Sequence, residues 1–135
     1  MSASAEFQKL VYDHLRTDPA VTQHVADRIY DGPRPDASTP YISFGPSDTI
    51  DDSATCIDAI EETLQIDIWT EEHGRLVIAR RITDSVRKSM KALGGAMPPP
   101  YAFAGIVNIV TRVLPDPDGI TAHGIVTVTA RIEGE

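Results

Sequence analysis

Apolar residues along this chain change their spacing, and each change marks an element. From Thr63 to Thr70 they alternate. Leu64, Ile66 and Ile68 point one way and Gln65, Asp67 and Trp69 the other, the period of two of a half-buried strand. Glu71-Glu72-His73-Gly74 reads as a turn, and beyond it Leu76, Ala79, Ile82, Val86, Met90 and Leu93 recur at three and four residues. That is the stripe of a helix lying on a core. Arg80, Arg81, Arg87, Lys88 and Lys91 then fall on the opposite face, and Gly94-Gly95 stands where a left-handed C-terminal cap is expected.

The remaining pattern fills in around this strand and helix. Phe7, Leu10, Val11 and Leu15 form a second helical stripe, with Ser4 placed to cap it. Asp18-Pro19 ends that helix and opens a short one whose buried edge is Val21 and Val25. Ile29-Tyr30 is a brief extended piece, and Asp31-Gly32-Pro33-Arg34-Pro35 breaks regular structure. Tyr41-Ile42-Ser43-Phe44 reads as a short strand stopped by Gly45-Pro46. An acidic loop or hairpin tip, about 47–62, joins it to the next strand. A stiff proline-rich connector, 94–101, follows the main helix. Two strands, Ile106 to Leu114 and Ile120 to Ile132, flank Pro115-Asp116-Pro117-Asp118-Gly119, which has the chemistry of a hairpin turn. Val107, Ile109, Val113, Val126, Val128, Ala130 and Ile132 are the expected inward positions, and Thr127, Thr129 and Arg131 the outward ones. The pattern predicts an α+β fold in one domain, 1–135: a mostly antiparallel sheet of about five strands with two to three helices on one face.

Charge changes the picture because it is unevenly placed. The net charge is −8, which argues against a general basic surface for nucleic acid. Ten of the twenty acids lie between Pro35 and Gly74, a stretch without Lys or Arg. Six of the twelve bases lie between Arg75 and Lys91, against the single acid Asp84. In the simplest account the helix face is merely solvated, with Asp84 bridging Arg80 and Lys88 at four-residue spacing for a few tenths of a kcal/mol. A chain with one acidic block and one basic face is also able to pair with copies of itself.

Reaction chemistry is weakly signalled. His14, His24, His73 and His123 lack metal-ligand spacing, and Gly94-Gly95 follows its helix instead of opening one to cradle phosphate. Asp116-Pro117-Asp118-Gly119 has only part of a calcium loop, without the later carboxylates. Asp51-Asp52 and Glu61-Glu62 have few apolar neighbours in sequence to raise a pKa for paired-acid catalysis. Cys56 is alone, so it forms no internal disulfide; a reducing cytoplasm suits it, and it has no nearby base to make it a nucleophile. No run approaches the roughly 18 apolar residues of a membrane helix, and no secretory signal is visible in MSASAEFQKL. These readings lead to no enzyme, cofactor, metal or membrane partner.

Several pieces in succession resemble the tail-completion, or tail-terminator, proteins of long-tailed phages and gene transfer agents. They are Thr17-Asp18-Pro19-Ala20-Val21 after the first helix, Val25-Ala26-Asp27-Arg28-Ile29-Tyr30-Asp31, Pro40-Tyr41-Ile42-Ser43-Phe44-Gly45 and Leu64-Gln65-Ile66-Asp67-Ile68-Trp69-Thr70. The basic amphipathic helix comes next, then Arg112-Val113-Leu114-Pro115-Asp116-Pro117-Asp118-Gly119 with its closing strand. Length and the Asp-Pro-Asp-Gly turn are nearest the gene-transfer-agent versions.

The resemblance implies a non-enzymatic subunit, made in the bacterial cytoplasm, that forms a hexameric ring at the head–tail junction. Such a ring ends the tail tube, meets the head-side stopper or connector, and lets DNA pass. In that setting Arg80, Arg81, Arg87, Lys88 and Lys91 are the expected assembly interface. Asp48, Asp51, Asp52, Asp58, Glu61 and Glu62 are the expected lining of an acidic lumen that repels the DNA backbone. The closing strand is an expected edge for pairing across subunits. A head-closure stopper or other minor tail connector is the alternative. A small cytoplasmic ligand-binding module or enzyme is a second one.

Overall fold

The computed structural model describes residues 1–134. Among these residues there are three helices, α1 (Ala3–Arg16), α2 (Pro19–Val25) and α3 (Val77–Lys91). Five strands accompany them: β1 (Ile29–Tyr30), β2 (Tyr41–Asp51), β3 (Ala59–Glu71), β4 (Ala102–Pro115) and β5 (Thr121–Glu133). The strands form one sheet in the order β1-β2-β3-β5-β4. Every neighbouring pair is antiparallel except β1 with β2. The fold is α+β.

One face of the sheet carries the helices. Ile42 and Phe44 of β2, Leu64, Ile66 and Ile68 of β3, and Val126, Val128, Ala130 and Ile132 of β5 meet Phe7, Val11 and Leu15 of α1, Val21 and Val25 of α2, and Ile82, Val86 and Met90 of α3. The α3 stripe is thus the buried stripe of its sequence, and each large side chain in it contributes about 1.5–3 kcal/mol. Gly124 sets how close α3 comes: a Cβ built there would lie 2.1 Å from Thr83 Oγ1 and 3.3 Å from Ile68 Cβ.

Helix ends differ from the sequence expectation in instructive ways. Ser2, not Ser4, caps α1: its backbone is extended and its Oγ accepts from the Ala5 amide at 3.1 Å. Asp18 caps α2 as expected, accepting from Ala20 at 3.0 Å with Pro19 in the first turn. α3 ends at Lys91 with Ala92 as its cap, so Gly94-Gly95 lies beyond the last turn and provides no left-handed cap.

The α3 N-cap, Leu76, has no side chain able to satisfy the first turn; a more distant residue does it instead. Glu72, 8% exposed, folds its carboxylate back over the helix start. Oε1 accepts from the Ile78 amide and Oε2 from Ala79, both at 2.9 Å, and Oε2 also accepts from the Thr70 hydroxyl at 2.6 Å. A carboxylate at a helix N-terminus is favoured by the free amides and the helix dipole. Burial pushes the Glu72 pKa up, but these three donors outweigh it and hold it below the ordinary value. A depressed carboxylate stabilises the fold fully above its unfolded pKa, about 4.3. That contribution is lost as pH falls through the lower folded value. Glu72→Ala is therefore expected to cost about 2 kcal/mol at pH 7. Thermal melts should show the gap between mutant and wild type narrowing as pH falls below the ordinary carboxylate range.

The strands correct the sequence boundaries more than the helices do. Gly45-Pro46 does not stop β2. The register slips there, between Phe44 and Ser47, and the strand runs on to Asp51. A bulge is where a residue without an N–H is tolerated, and β1 has already ended, pairing only with Ile42 and Ser43. The acidic stretch about 47–62 is accordingly a hairpin arm of two strands with only 52–58 outside them. In β4 the register shifts between Phe103 and Ile106 and again between Ile106 and Asn108. Val107 falls in the second bulge and is 52% exposed, so it is not an inward residue. β5 lies between β3 and β4, so the closing strand is not an edge; β4 is.

Candidate assembly surfaces

The basic face of α3 is held outward because the opposite stripe is buried. Arg80, Arg81, Lys88 and Lys91 are exposed and Arg87 is half-buried. Asp84 bonds to Arg87 at 2.9 Å and to Lys88 at 3.0 Å; it does not bridge Arg80. Its carboxyl is held below the usual range first by the Lys88 and then by the Arg87 hydrogen bond. Among the described residues, Arg80, Arg81 and Lys91 have no ion-pair partner. Val77 and Ile78, 47% and 45% exposed, stand one turn before Arg81. Two exposed apolar residues beside unpaired arginines make a surface chemically suited to an acidic surface on another protein.

The six arm acids are placed unequally. Asp48, Asp51, Asp52 and Asp58 are exposed and Glu61 is half-exposed. Asp52 meets Arg131, which also reaches Glu133 at 3.3 Å. Glu62 turns inward onto the helix face of the sheet and is 1% exposed. One of its oxygens accepts from the Thr49 hydroxyl; the other has no hydrogen-bond partner. Glu62 is therefore not at the surface, and the other five of the six acids are exposed or half-exposed.

Sequence reasoning missed a polar network on the uncovered face of the sheet. The register sets Trp69 opposite His123 and Asp67 opposite Ser43. His123 Nε2 donates to Asp67 Oδ1 at 2.7 Å, and Gln65 Nε2 donates to the same oxygen at 2.8 Å. The Trp69 ring stacks on His123, with centroids 3.8 Å apart, and its indole N–H donates to Ser43 Oγ at 3.0 Å. Gly45 leaves the space this needs, since a Cβ there would lie 2.6 Å from Asp67 Oδ2. Burial, and then the carboxylates of Asp36 and Asp67, raise the Tyr41 phenol above its ordinary pKa. Serine, histidine and aspartate occur here together, yet among the described residues the Ser43 hydroxyl meets the Trp69 indole and not the His123 imidazole. No nucleophile is paired with a base. The network ties three strands together on the side that lacks helices.

A cleft of about 510 Å³ opens at the end of this face, between the 35–39 loop, Tyr41, Trp69, Glu71 and the β4–β5 turn. In that turn Asp118 is engaged by the residues that follow it: Oδ1 accepts from the Ile120 and Thr121 amides at 2.8 Å, and Oδ2 from the Thr121 hydroxyl at 2.7 Å. Thr121, through its amide and hydroxyl, and then Ile120 hold its pKa below the ordinary value. Among the described residues, no three His, Cys, Asp or Glu side chains converge to hold a metal ion. Among the described residues, no helix is long and apolar enough to cross a membrane.

Unlike charges exposed on separate elements, each beside exposed apolar residues, with the polar clusters spent on internal bonds, suit a protein that works by contact: a structural assembly subunit. The sequence matches the family described as Tail completion protein gp17 over residues 9–133. The chain belongs to that family and is a structural component of a tail, not an enzyme. Among solved structures, a chain of the virion of a native gene transfer agent particle superposes with a TM-score of 0.82 at 21% identity, covering 99% of this chain and 100% of that one. The gp17 protein of bacteriophage SPP1 superposes with a TM-score of 0.62 at 22% identity, covering 95% of this chain and 89% of that one. At these identities the two likenesses establish the shared fold. No curated protein matches the sequence.

Proposed function

We propose that this chain is the tail terminator of a phage-like particle, of the gene transfer agent kind, and that six copies close into a ring on the head-proximal end of the tail tube. The ring halts tube growth, meets the head-side stopper or connector, and leaves a central passage for DNA. The observation that carries this reading beyond family membership is the separation of unlike charge onto two elements of one chain. Among the described residues, Arg80, Arg81 and Lys91 on α3 have no ion-pair partner, while Asp48, Asp51 and Asp58 are exposed on the β2–β3 arm. An acidic passage suits transit because it repels phosphate, whereas a basic one would bind it. Six copies at −8 each carry about six times that, −48, so the assembled ring is strongly acidic overall.

Native mass spectrometry and electron microscopy of the purified protein, alone and mixed with tail tubes, test the ring. The expected result is a six-copy species capping one end of each tube. A strain lacking the protein should make overlong tails beside unjoined heads. Normal-length tails with heads that lose their DNA would assign the chain to the stopper position instead.

A further inference from the structure

The sheet ends in two unlike open edges. On one side, β1 covers β2 only at Ile42 and Ser43. Beyond the bulge, Ser47–Asp51 pairs inward with β3 but, among the described residues, has no strand on its outer side. All five of these residues are exposed, so the arm extends past the helix layer. On the other side, among the described residues, β4 pairs only with β5. Its bulges confine the irregularity to the first half, and from Asn108 to Pro115 the register is unbroken. A long strand with free amides and carbonyls recruits another strand unless it is blocked. β4 has little to block it: Arg112 is its only charged side chain, and Val110 is 49% exposed.

We infer that copies of this chain join by strand addition, the outer edge of the arm (Ser47–Asp51) pairing with the regular half of β4 (Asn108–Leu114) of the next copy. This rests on the ring reading. Contact between two different patches is head-to-tail and repeats by rotation, which a ring requires; an edge pairing with itself would stop at a dimer. Charge selects the same partner. Arm against arm would bring Asp48, Asp51 and Asp52 opposite their own copies, and β4 against β4 would confront Arg112 with itself. Arm against β4 places Arg112 near the acids and sets Ile50, 58% exposed, beside Val110. The lengths agree, since five arm residues fit within seven of β4. In a continued sheet the uncovered faces of both copies lie on one side. Ile50, Asn108, Val110 and Arg112 all belong to that face by register with Glu61, Thr129, Thr127 and Ile125.

Disulfide mapping tests the contact. In a Cys56→Ser background, Ile50→Cys is combined in turn with Asn108→Cys, Val110→Cys and Arg112→Cys, and assembled protein is oxidised. One of these pairs is expected to give a covalent ladder of multimers, because directly opposed strand positions fall within disulfide reach; each single-cysteine variant should give none. Independently, Val110→Glu should lower ring formation at least tenfold while leaving the monomer's melting temperature unchanged, Val110 being half exposed. Rings that form normally with Val110→Glu, or that oxidise without a ladder in all three pairs, overturn the strand contact and leave the ring intact. A wild-type protein that forms no ring, alone or on tubes, overturns both.

Discussion

Gly124→Ala is expected to destabilise the protein by about 2–3 kcal/mol and lower its melting temperature by roughly 10 °C. The added methyl would arrive 2.1 Å from Thr83 Oγ1 at the seat of α3 on β5, with Ile68 Cβ 3.3 Å away on the other side. Neither neighbour moves cheaply, since Ile68 is fully buried and Thr83 is 3% exposed on a helix whose stripe is packed. A second substitution separates steric overlap from any effect of glycine on the unfolded chain. Thr83 Oγ1 is buried without a hydrogen-bond partner, so Thr83→Ala removes an unsatisfied hydroxyl and by itself should stay within about 1 kcal/mol of wild type. In the double variant the clash disappears, and at least half of the Gly124→Ala loss should return. Additive penalties in this double-mutant cycle would show that α3 does not seat on Gly124 through Thr83.

Where burial imposes a period, residues declare their element. Leu64, Ile66 and Ile68 alternate because helices cover one face of β3, and Ala79, Ile82, Val86 and Met90 keep helical spacing because α3 buries one stripe. The arm shows the converse. Ser47–Asp51 is exposed all round, so nothing selects apolar residues at every second position, and a strand there looks like a loop. Pro46 strengthens that impression; it is tolerated because it falls in a bulge and because β1 is two residues long, leaving that side of β2 unpaired among the described residues. Val107 kept the look of an inward residue because a bulge shifts the alternation without altering composition.

Features that depend on distant partners were illegible for a different reason. Asp67 and His123 are separated by 56 positions, and only the β3–β5 register brings them within 2.7 Å. Nothing local says that the last strand inserts between β3 and β4, since the β4–β5 hairpin would read the same at either end of the sheet. Glu62 and Glu72 sit among solvated acids in sequence, yet one is buried on the helix-bearing face of the sheet and the other caps α3. The basic face of α3 was legible, being the complement of a buried stripe. Its division into paired and unpaired bases needed coordinates, because Asp84 reaches Arg87 in preference to Arg80.

That division sharpens the second large effect. Reversing Arg80, Arg81 and Arg87 to Glu is expected to leave a folded monomer that no longer enters particles. Arg80 and Arg81 are exposed and pair with nothing among the described residues, so the fold loses little with them. Arg87 gives up a surface bond to Asp84 and places like charges three residues apart, a cost of a few tenths of a kcal/mol. Each reversal changes the charge by −2, taking the chain from −8 to −14. A contact with an acidic neighbour would become repulsive at three points, and juxtaposed like charges cost several kcal/mol across an interface. Circular dichroism should therefore match wild type within a few degrees of melting temperature, while particle yield falls by at least a hundredfold. The single variant Arg87→Glu separates the roles: because Asp84 already neutralises Arg87, it should cost much less assembly than Arg80→Glu with Arg81→Glu. Full particle yield from the triple variant would mean that α3 faces only solvent and that another surface holds the assembly.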